Sequence, residues 1–194
     1  MIRGLVLAGG KSLRFGEDKA LAIYEGISFL ERAVSLLASL ELKPIVVTRE
    51  GADYPRTECT VLYDRLPEKG PLGGIYTAMS IFKDTSFLVL ACDMPALTSE
   101  VISAILTTHE AGFEITAYST ESGMQPFPGL YEPSLLGVVR RQMEQDHLSM
   151  KQLWDRVPAK KLISWVGDEK VFRNMNNKSD LSQDAEHRTA SMRY

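Results

Sequence analysis

Residues 4–19 read Gly4-Leu5-Val6-Leu7-Ala8-Gly9-Gly10-Lys11-Ser12-Leu13-Arg14-Phe15-Gly16-Glu17-Asp18-Lys19. An apolar run stops at two glycines and gives way to a polar segment with cations at 11, 14 and 19. Gly4–Ala8 is predicted as a buried strand, and Gly9–Lys19 as the loop beyond its carboxyl end. Gly9-Gly10-Lys11-Ser12 suggests a Walker A loop, but that motif needs a glycine four residues ahead of Gly-Lys-Ser. Leu5 holds that position and Gly4 is off by one, so the motif is rejected. The Gly-x-Gly-x-x-Gly dinucleotide pattern is absent from this loop as well. What remains is chemistry suited to a polyphosphate. Glycines let backbone N–H groups approach an anion. Arg14 offers a planar fork to phosphate oxygens, and Lys11 and Lys19 offer mobile charges. A solvated basic loop is the bland alternative; the position after the first strand favours the phosphate reading.

Outward from this loop, strands alternate with helix-period segments. Segment 28–40 places Phe29, Leu30, Ala33, Val34, Leu36, Leu37 and Leu40 on one helical face, and Ser28 with Glu31 forms a capping box. Pro44–Thr48 and Thr60–Tyr63 are predicted strands, the latter ending at Asp64. Pro71–Phe82 is predicted as a helix with proline in its first turn. Ser86–Ala91 is a continuous apolar run, predicted as a central strand buried on both faces and stopping at Cys92-Asp93. Thr98 caps the next helix, and Glu114–Ser119 alternates like a strand. Phe127–Tyr131 is a weaker strand, which Pro126 and Pro128 restrict to an edge or an irregular path. Leu135–Met143 is helical, Ser149 opens a short helix, and Lys161–Val166 reads as a strand. This order predicts an α/β fold, with a mostly parallel (mixed) central sheet and helices on both faces. The chain reads as a single domain over 1–181, followed by a polar C-terminal tail over 182–194.

The 194 residues carry 22 Lys plus Arg against 25 Asp plus Glu, for a net charge of −3. That balance argues against a general nucleic-acid binder. No apolar run approaches the ~18 residues of a membrane span, and the N-terminal run lacks signal-peptide regions. Cys59 and Cys92 have no metal-like spacing, and so few cysteines suit a reduced cytoplasmic protein. The expectation is a cytoplasmic protein without nucleic-acid or membrane partners.

In open parallel sheets, ligands bind beyond the carboxyl ends of the strands. That rule points to the loop after Ala8, to Asp64 and to Asp93. Asp93 is placed to meet a hard cation such as Mg²⁺, which takes one or two protein carboxylates plus water and substrate phosphates. Asp64 either shares that metal, directly or through water, or contacts a sugar hydroxyl. A turn or cap is the structural alternative for both. Gly70-Pro71-Leu72-Gly73-Gly74 opens a helix, and its small residues admit either a flat ring or close packing on the sheet.

Leu7-Ala8-Gly9-Gly10 through Arg14-Phe15-Gly16 and Asp18-Lys19, Asp64, Gly70–Gly74 and Cys92-Asp93-Met94-Pro95 occur in that order. The ordered set resembles the molybdenum cofactor guanylyltransferase (MobA) family, over residues 2 to about 181. The resemblance implies a Rossmann-like nucleotidyltransferase fold. It also implies transfer of GMP from GTP to the terminal phosphate of molybdenum-molybdopterin, with Mg²⁺ as cofactor and pyrophosphate released. By matching position, Leu7, Ala8, Gly9, Gly10, Lys19, Asp64, Gly73, Gly74 and Asp93 would bind the nucleotide. Arg14, Lys19 and Asp93 would be catalytic, and Asp93 would hold the metal. Gln125-Pro126-Phe127 and Asn174-Met175-Asn176 resemble acceptor-side segments, so Gln125, Pro126, Asn174 and Asn176 are acceptor-binding candidates. The resemblance further implies transient contact with molybdoenzymes or their chaperones. His109, His147 and His187 lie outside these motifs.

The sequence departs from the family at two points. Thr48 stands where many relatives place Asn, and Asn177-Lys178 replaces Thr-Pro, although Asn177 can still cap a helix. Rival readings are a related enzyme using CTP or another phosphorylated acceptor, and a non-catalytic GTP-binding adaptor in molybdoenzyme maturation. Relatives using CTP commonly carry Ala in place of Gly9, so Gly9 favours guanine. Arg14, Lys19 and Asp93 speak against an adaptor.

Overall fold

A computed structural model of the chain describes residues 1–9, 18–54, 59–177 and 179–180. The strands are β1 (Ile2–Leu7), β2 (Ile23–Tyr24), β3 (Ile27–Ser28), β4 (Ile45–Thr48), β5 (Thr60–Tyr63), β6 (Ser86–Ala91), β7 (Ile115–Thr120), β8 (Gly123–Tyr131) and β9 (Lys160–Ser164). The α-helices are α1 (Phe29–Ser39), α2 (Gly70–Ile81), α3 (Ser99–Thr108), α4 (Leu136–Glu144) and α5 (Met150–Arg156). Seven strands form one sheet in the order β5-β4-β1-β6-β8-β7-β9, and β2-β3 form a separate hairpin. β5, β4, β1 and β6 run parallel to one another. β8 is antiparallel to both β6 and β7, and β9 is parallel to β7. The sheet is therefore mixed, as predicted.

The alternating side chains of β6 explain why its sequence is apolar at every position after Ser86. Leu88 and Leu90 face the core that holds Val34 and Leu37 of α1 and Ile102 and Ile105 of α3. Phe87 and Val89 face the opposite core, with Leu72 and Ile75 of α2, Val139 of α4 and Trp154 of α5. β1 does the same with Val6 and Leu5. Strands buried on both faces hold their ends rigidly, which fixes whatever leaves their carboxyl edge.

Several local features follow the sequence closely. Ser28 Oγ accepts from Glu31 N at 3.1 Å and caps α1. Pro71 lies in the first turn of α2, where its missing N–H leaves no helical bond unmade. Thr98 holds the N-cap of α3 but makes no side-chain cap bond there. β9 ends at Ser164, short of the Val166 expected from sequence; Trp165 instead packs on Tyr118 and Phe172.

Two features differ from the sequence reading. The proline-bearing strand β8 lies inside the sheet, between β6 and β7, and not at an edge. Its prolines are tolerated because the β7 register jumps: Ala117 pairs with Gly129, and Tyr118 with Gln125. Pro126, Phe127 and Pro128 bulge out of the ladder there, so no ladder bond requires their N–H. The irregular path is thus the one adopted, with a cis Phe127–Pro128 bond. The β2-β3 hairpin was not foreseen. Its turn is Glu25-Gly26, with φ of 50° and 85°, a two-residue connection of the kind that matches strand twist. Residues 181–194, which include the whole of the expected tail, lie outside the described residues.

Candidate active site

The parallel strands end level with one another, and the ladder continues one residue past each. Ala8 N donates to Val47 O at 2.9 Å, Cys92 N to Leu7 O at 3.2 Å, and Asp64 N to Thr48 O at 2.6 Å. Ala8-Gly9, Asp64 and Cys92-Asp93 therefore leave one edge of the sheet from adjoining positions. This is the arrangement expected from strand order.

At that edge Lys19 Nζ lies 2.5 Å from Asp93 Oδ2 and 2.7 Å from Asn176 Oδ1. Lys19 is placed by a short 3₁₀ turn over Lys19–Leu21, which Asp18 caps through Ala20 N at 3.1 Å. Asn176 is delivered by its neighbour. Met175 N donates to the Asp93 carbonyl at 2.9 Å, and its side chain is buried among Tyr24, Phe29 and Ala22. The hairpin missed in the sequence is thus the socket for the Asn174-Met175-Asn176 segment. Beyond it, Asn177 and Asp180 exchange cap bonds: Asp180 N to Asn177 Oδ1 at 2.9 Å, and Asn177 N to Asp180 Oδ2 at 3.0 Å. Asn177 caps as expected.

Asp93 Oδ1 is buried and, among the described residues, has no hydrogen-bond partner. An orphaned carboxylate oxygen is costly, and a hard cation is the partner that suits it. The donor set fits Mg²⁺ or a similar ion, which needs few protein carboxylates. Among the described residues no three His, Cys, Asp or Glu side chains cluster for a metal. Asp64 is too distant to ligate the same ion directly. β5 and β6 are three strand intervals apart in the sheet, about 14 Å at ~4.8 Å each, whereas Mg²⁺–oxygen bonds are about 2.1 Å. The expectation of an ion bound directly by both carboxylates is corrected on that ground.

Asp64 instead organises its own loop. Its Oδ1 accepts from Leu66 N at 2.9 Å and from Thr77 Oγ1 at 3.0 Å. Of the adjoining glycines, Gly73 is demanded by packing against backbone, whereas Gly74 is crowded by the movable end of a leucine side chain. A Cβ at Gly73 would lie 2.4 Å from Leu66 O and 3.2 Å from Asp64 Oδ2, and one at Gly74 would lie 2.8 Å from Leu7 Cδ2. Gly9 differs, since a Cβ there would meet nothing closer than 3.7 Å.

Thr48 is fully buried, and its Oγ1 lies 2.9 Å from the Tyr54 hydroxyl. The departure from Asn at this position is therefore a tyrosine contact, which the sequence did not signal. Burial raises the Tyr54 hydroxyl to about 12 and the Cys92 thiol to about 12. Both stay protonated at neutral pH.

Gln125 Nε2 donates to Thr120 Oγ1 at 3.2 Å, and Pro126 O accepts from the Tyr131 hydroxyl at 2.7 Å. Pro126 also lines a cavity of about 270 Å³ with Met124, Met150, Lys151 and Trp154. These residues sit at the β8 bulge and, among the described residues, make no hydrogen bond to the Lys19–Asp93 group. Asn176 joins that group, while the Asn174 side chain is exposed. Gly10 and Arg14 lie outside the described residues.

A mixed α/β sheet that brings Ala8-Gly9, Lys19 and Asp93 to one edge is the arrangement a nucleotidyltransferase requires, and the family match shows that class. The chain belongs to the MobA-like NTP transferase domain family, which it matches over residues 4–160. It is 29% identical over 183 residues to a probable molybdenum cofactor guanylyltransferase of Flavobacterium johnsoniae, covering 91% of this chain and 93% of that one. It is 31% identical over 186 residues to a protein of the same description from Bacillus licheniformis, covering 92% and 94%. Among solved structures, molybdopterin-guanine dinucleotide biosynthesis protein A of Archaeoglobus fulgidus superposes with a TM-score of 0.79 at 20% identity, over 98% of this chain and all of that one. A further neighbour, Rv0371c of Mycobacterium tuberculosis, was crystallised with manganese, and superposes with a TM-score of 0.66 at 16% identity over 94% and 96%.

Proposed function

We propose that the protein transfers GMP from GTP to the terminal phosphate of molybdenum-molybdopterin, giving the guanine dinucleotide form and pyrophosphate. The observation that carries this is the meeting of Lys19, Asp93 and Asn176 beside the Ala8-Gly9 loop, in a chain whose curated relatives are described as probable guanylyltransferases.

An oxygen of the acceptor phosphate attacks the α-phosphorus in line; a new P–O bond forms there as the bond to the β-phosphate oxygen breaks. A phosphate monoester is already anionic near neutral pH, so the chain need not supply a strong base. Its work is positioning and charge neutralisation. Asp93 would hold Mg²⁺, which when bound supplies positive charge to phosphate oxygens. Lys19, with Arg14 and the amides of Gly9 and Gly10, steadies the departing pyrophosphate. Leu7 and Ala8 lie against the nucleotide. The edge of the site by Asp64, Gly73 and Gly74 takes the ribose and base. Asn176 and Asn174, with Gln125 and Pro126, face the acceptor.

Gly9 supports guanine. The fold does not demand a glycine there, because its φ lies outside the left-handed range and a Cβ has room. Its identity is therefore left for the ligand to set. That same room keeps CTP as the second reading. The test is pyrophosphate release with Mg²⁺ and each nucleoside triphosphate, with and without molybdenum-loaded molybdopterin. Release with GTP and that acceptor alone is expected. Release with CTP instead overturns the base assignment, and binding of GTP without release supports an adaptor.

A further inference from the structure

Tyr54 and Arg49 lie on the connection from β4 to β5, outside every motif that carries the family resemblance. The Tyr54 hydroxyl lies 3.3 Å from the Ala8 carbonyl and 3.3 Å from Asp18 Oδ2. Ala8 is the last residue before the glycine loop, and Asp18 is the residue before Lys19. One phenol thus touches both ends of the segment that the sequence reads as phosphate-binding. Arg49 Nη2 adds a second tie to Asp18 Oδ2, also at 3.3 Å.

The hydrogen bonds can be counted. A phenol has one proton and accepts up to two hydrogen bonds. Ala8 O and Asp18 Oδ2 are both acceptors, so they compete for that proton. Thr48 Oγ1, at 2.9 Å, is the neighbour able to donate to the Tyr54 oxygen. Thr48 is fully buried, which holds the phenol oxygen in place. Asp18 has its other oxygen on Ala20 N at 3.1 Å, at the start of the turn that presents Lys19. The chain of contact runs Thr48, Tyr54, Asp18, Lys19, Asp93. The hydroxyl keeps its proton across the working pH range, because burial raises it to about 12.

We infer that Tyr54 is a positioning residue: its hydroxyl, sharing one proton between Ala8 O and Asp18 Oδ2, ties together the residues that flank the glycine loop and so fixes Lys19 for the nucleotide's phosphates. The role assigned to the loop rests on the proposed nucleotidyl transfer; the pinning itself does not.

The test is Tyr54→Phe, which keeps the ring and removes the O–H. Tyr118→Phe is the control, because Tyr118 likewise donates one hydrogen bond, to Val101 O at 2.8 Å, away from the site. Hydrogen exchange of the free protein is read at the amides of Ala8, Ala20 and Leu21. Faster exchange at these amides in Tyr54→Phe but not in Tyr118→Phe is expected. Unchanged exchange in Tyr54→Phe, or an equal rise in both variants, overturns the inference. In turnover, kcat/KM for GTP falls on the order of tenfold in Tyr54→Phe, with KM for the acceptor unchanged. An equal loss in Tyr118→Phe would reduce Tyr54 to general packing. If the wild type releases no pyrophosphate from GTP, the transfer reading fails, and the exchange result still decides the pinning.

Discussion

Lys19 and Asp93 are 74 positions apart in the chain and 2.5 Å apart in the fold. The ion pair is about five-sixths buried on each side, and among the described residues only one of the two carboxylate oxygens is used. Lysine neutralises Oδ2, and Oδ1 stays available to a cation. A ligand that brings both phosphates and a metal satisfies both groups.

Asp93→Ala is expected to abolish turnover on the order of 10³-fold while the protein remains folded. The cap on the segment at 174–176 survives, because Met175 N bonds the Asp93 backbone carbonyl rather than its side chain. Pyrophosphate release with a Mg²⁺ titration reads the first part and circular dichroism the second. Substantial Mg²⁺-dependent activity in the variant would remove the metal assignment.

Asn176→Ala and Met175→Ala separate two effects. Met175 is 1% exposed, so truncation leaves a cavity and costs about 2–5 kcal/mol in chemical denaturation. Asn176 is exposed, and its loss is expected to change stability by less than about 0.5 kcal/mol. Its effect falls on kcat, by several-fold, because Lys19 loses one of its anchors. A rise in acceptor KM with kcat intact would place Asn176 on the acceptor alone.

Gly73→Ala and Gly9→Ala carry the same added methyl into different surroundings. At Gly73 the methyl runs into a backbone carbonyl at 2.4 Å, and a loss of at least ~2 kcal/mol is expected. At Gly9 the nearest atom is 3.7 Å away, so stability stays within about 0.5 kcal/mol. The ratio of GTP to CTP turnover is the readout for Gly9→Ala, and it moves toward CTP. An unchanged ratio would detach Gly9 from base selection.

Alkaline pH is expected to weaken the fold. Cys92 rises from 9.0 to about 12 on folding, and Tyr54 from 10.0 to about 12, each chiefly through burial. The native state favours their neutral forms. Their contribution is therefore fully present below about pH 9 and lost as pH rises toward 12. Thermal unfolding from about pH 8 to about pH 11 should show a falling Tm. In the native protein near pH 8, a thiol reagent should label partly exposed Cys59 and spare buried Cys92. Rapid labelling of both would mean that the β6 end opens readily.

The sequence alone carried the parallel half of the sheet. Ser86–Ala91 is apolar at every position but its first, and a run of that length is consistent with a strand buried on both faces. The glycine loop, Asp64 and Asp93 followed as strand-end residues, because parallel strands bring their carboxyl ends to one edge. What the sequence could not give was how residues far apart in the chain meet. The turn at Glu25-Gly26 is short, and the strands beside it have two residues each, too few to show a period. Yet that hairpin seats Met175 and so brings Asn176 to Lys19. Pro126 and Pro128 left an edge or an irregular path open by local rules, and the bulge in register decided for the irregular path inside the sheet. Tyr54 has no motif around it, and its hydroxyl acquires meaning only where β1, β4 and the Lys19 turn converge. Local pattern reports which side chains a segment buries. Pairing across the chain depends on packing between elements, which no single segment encodes.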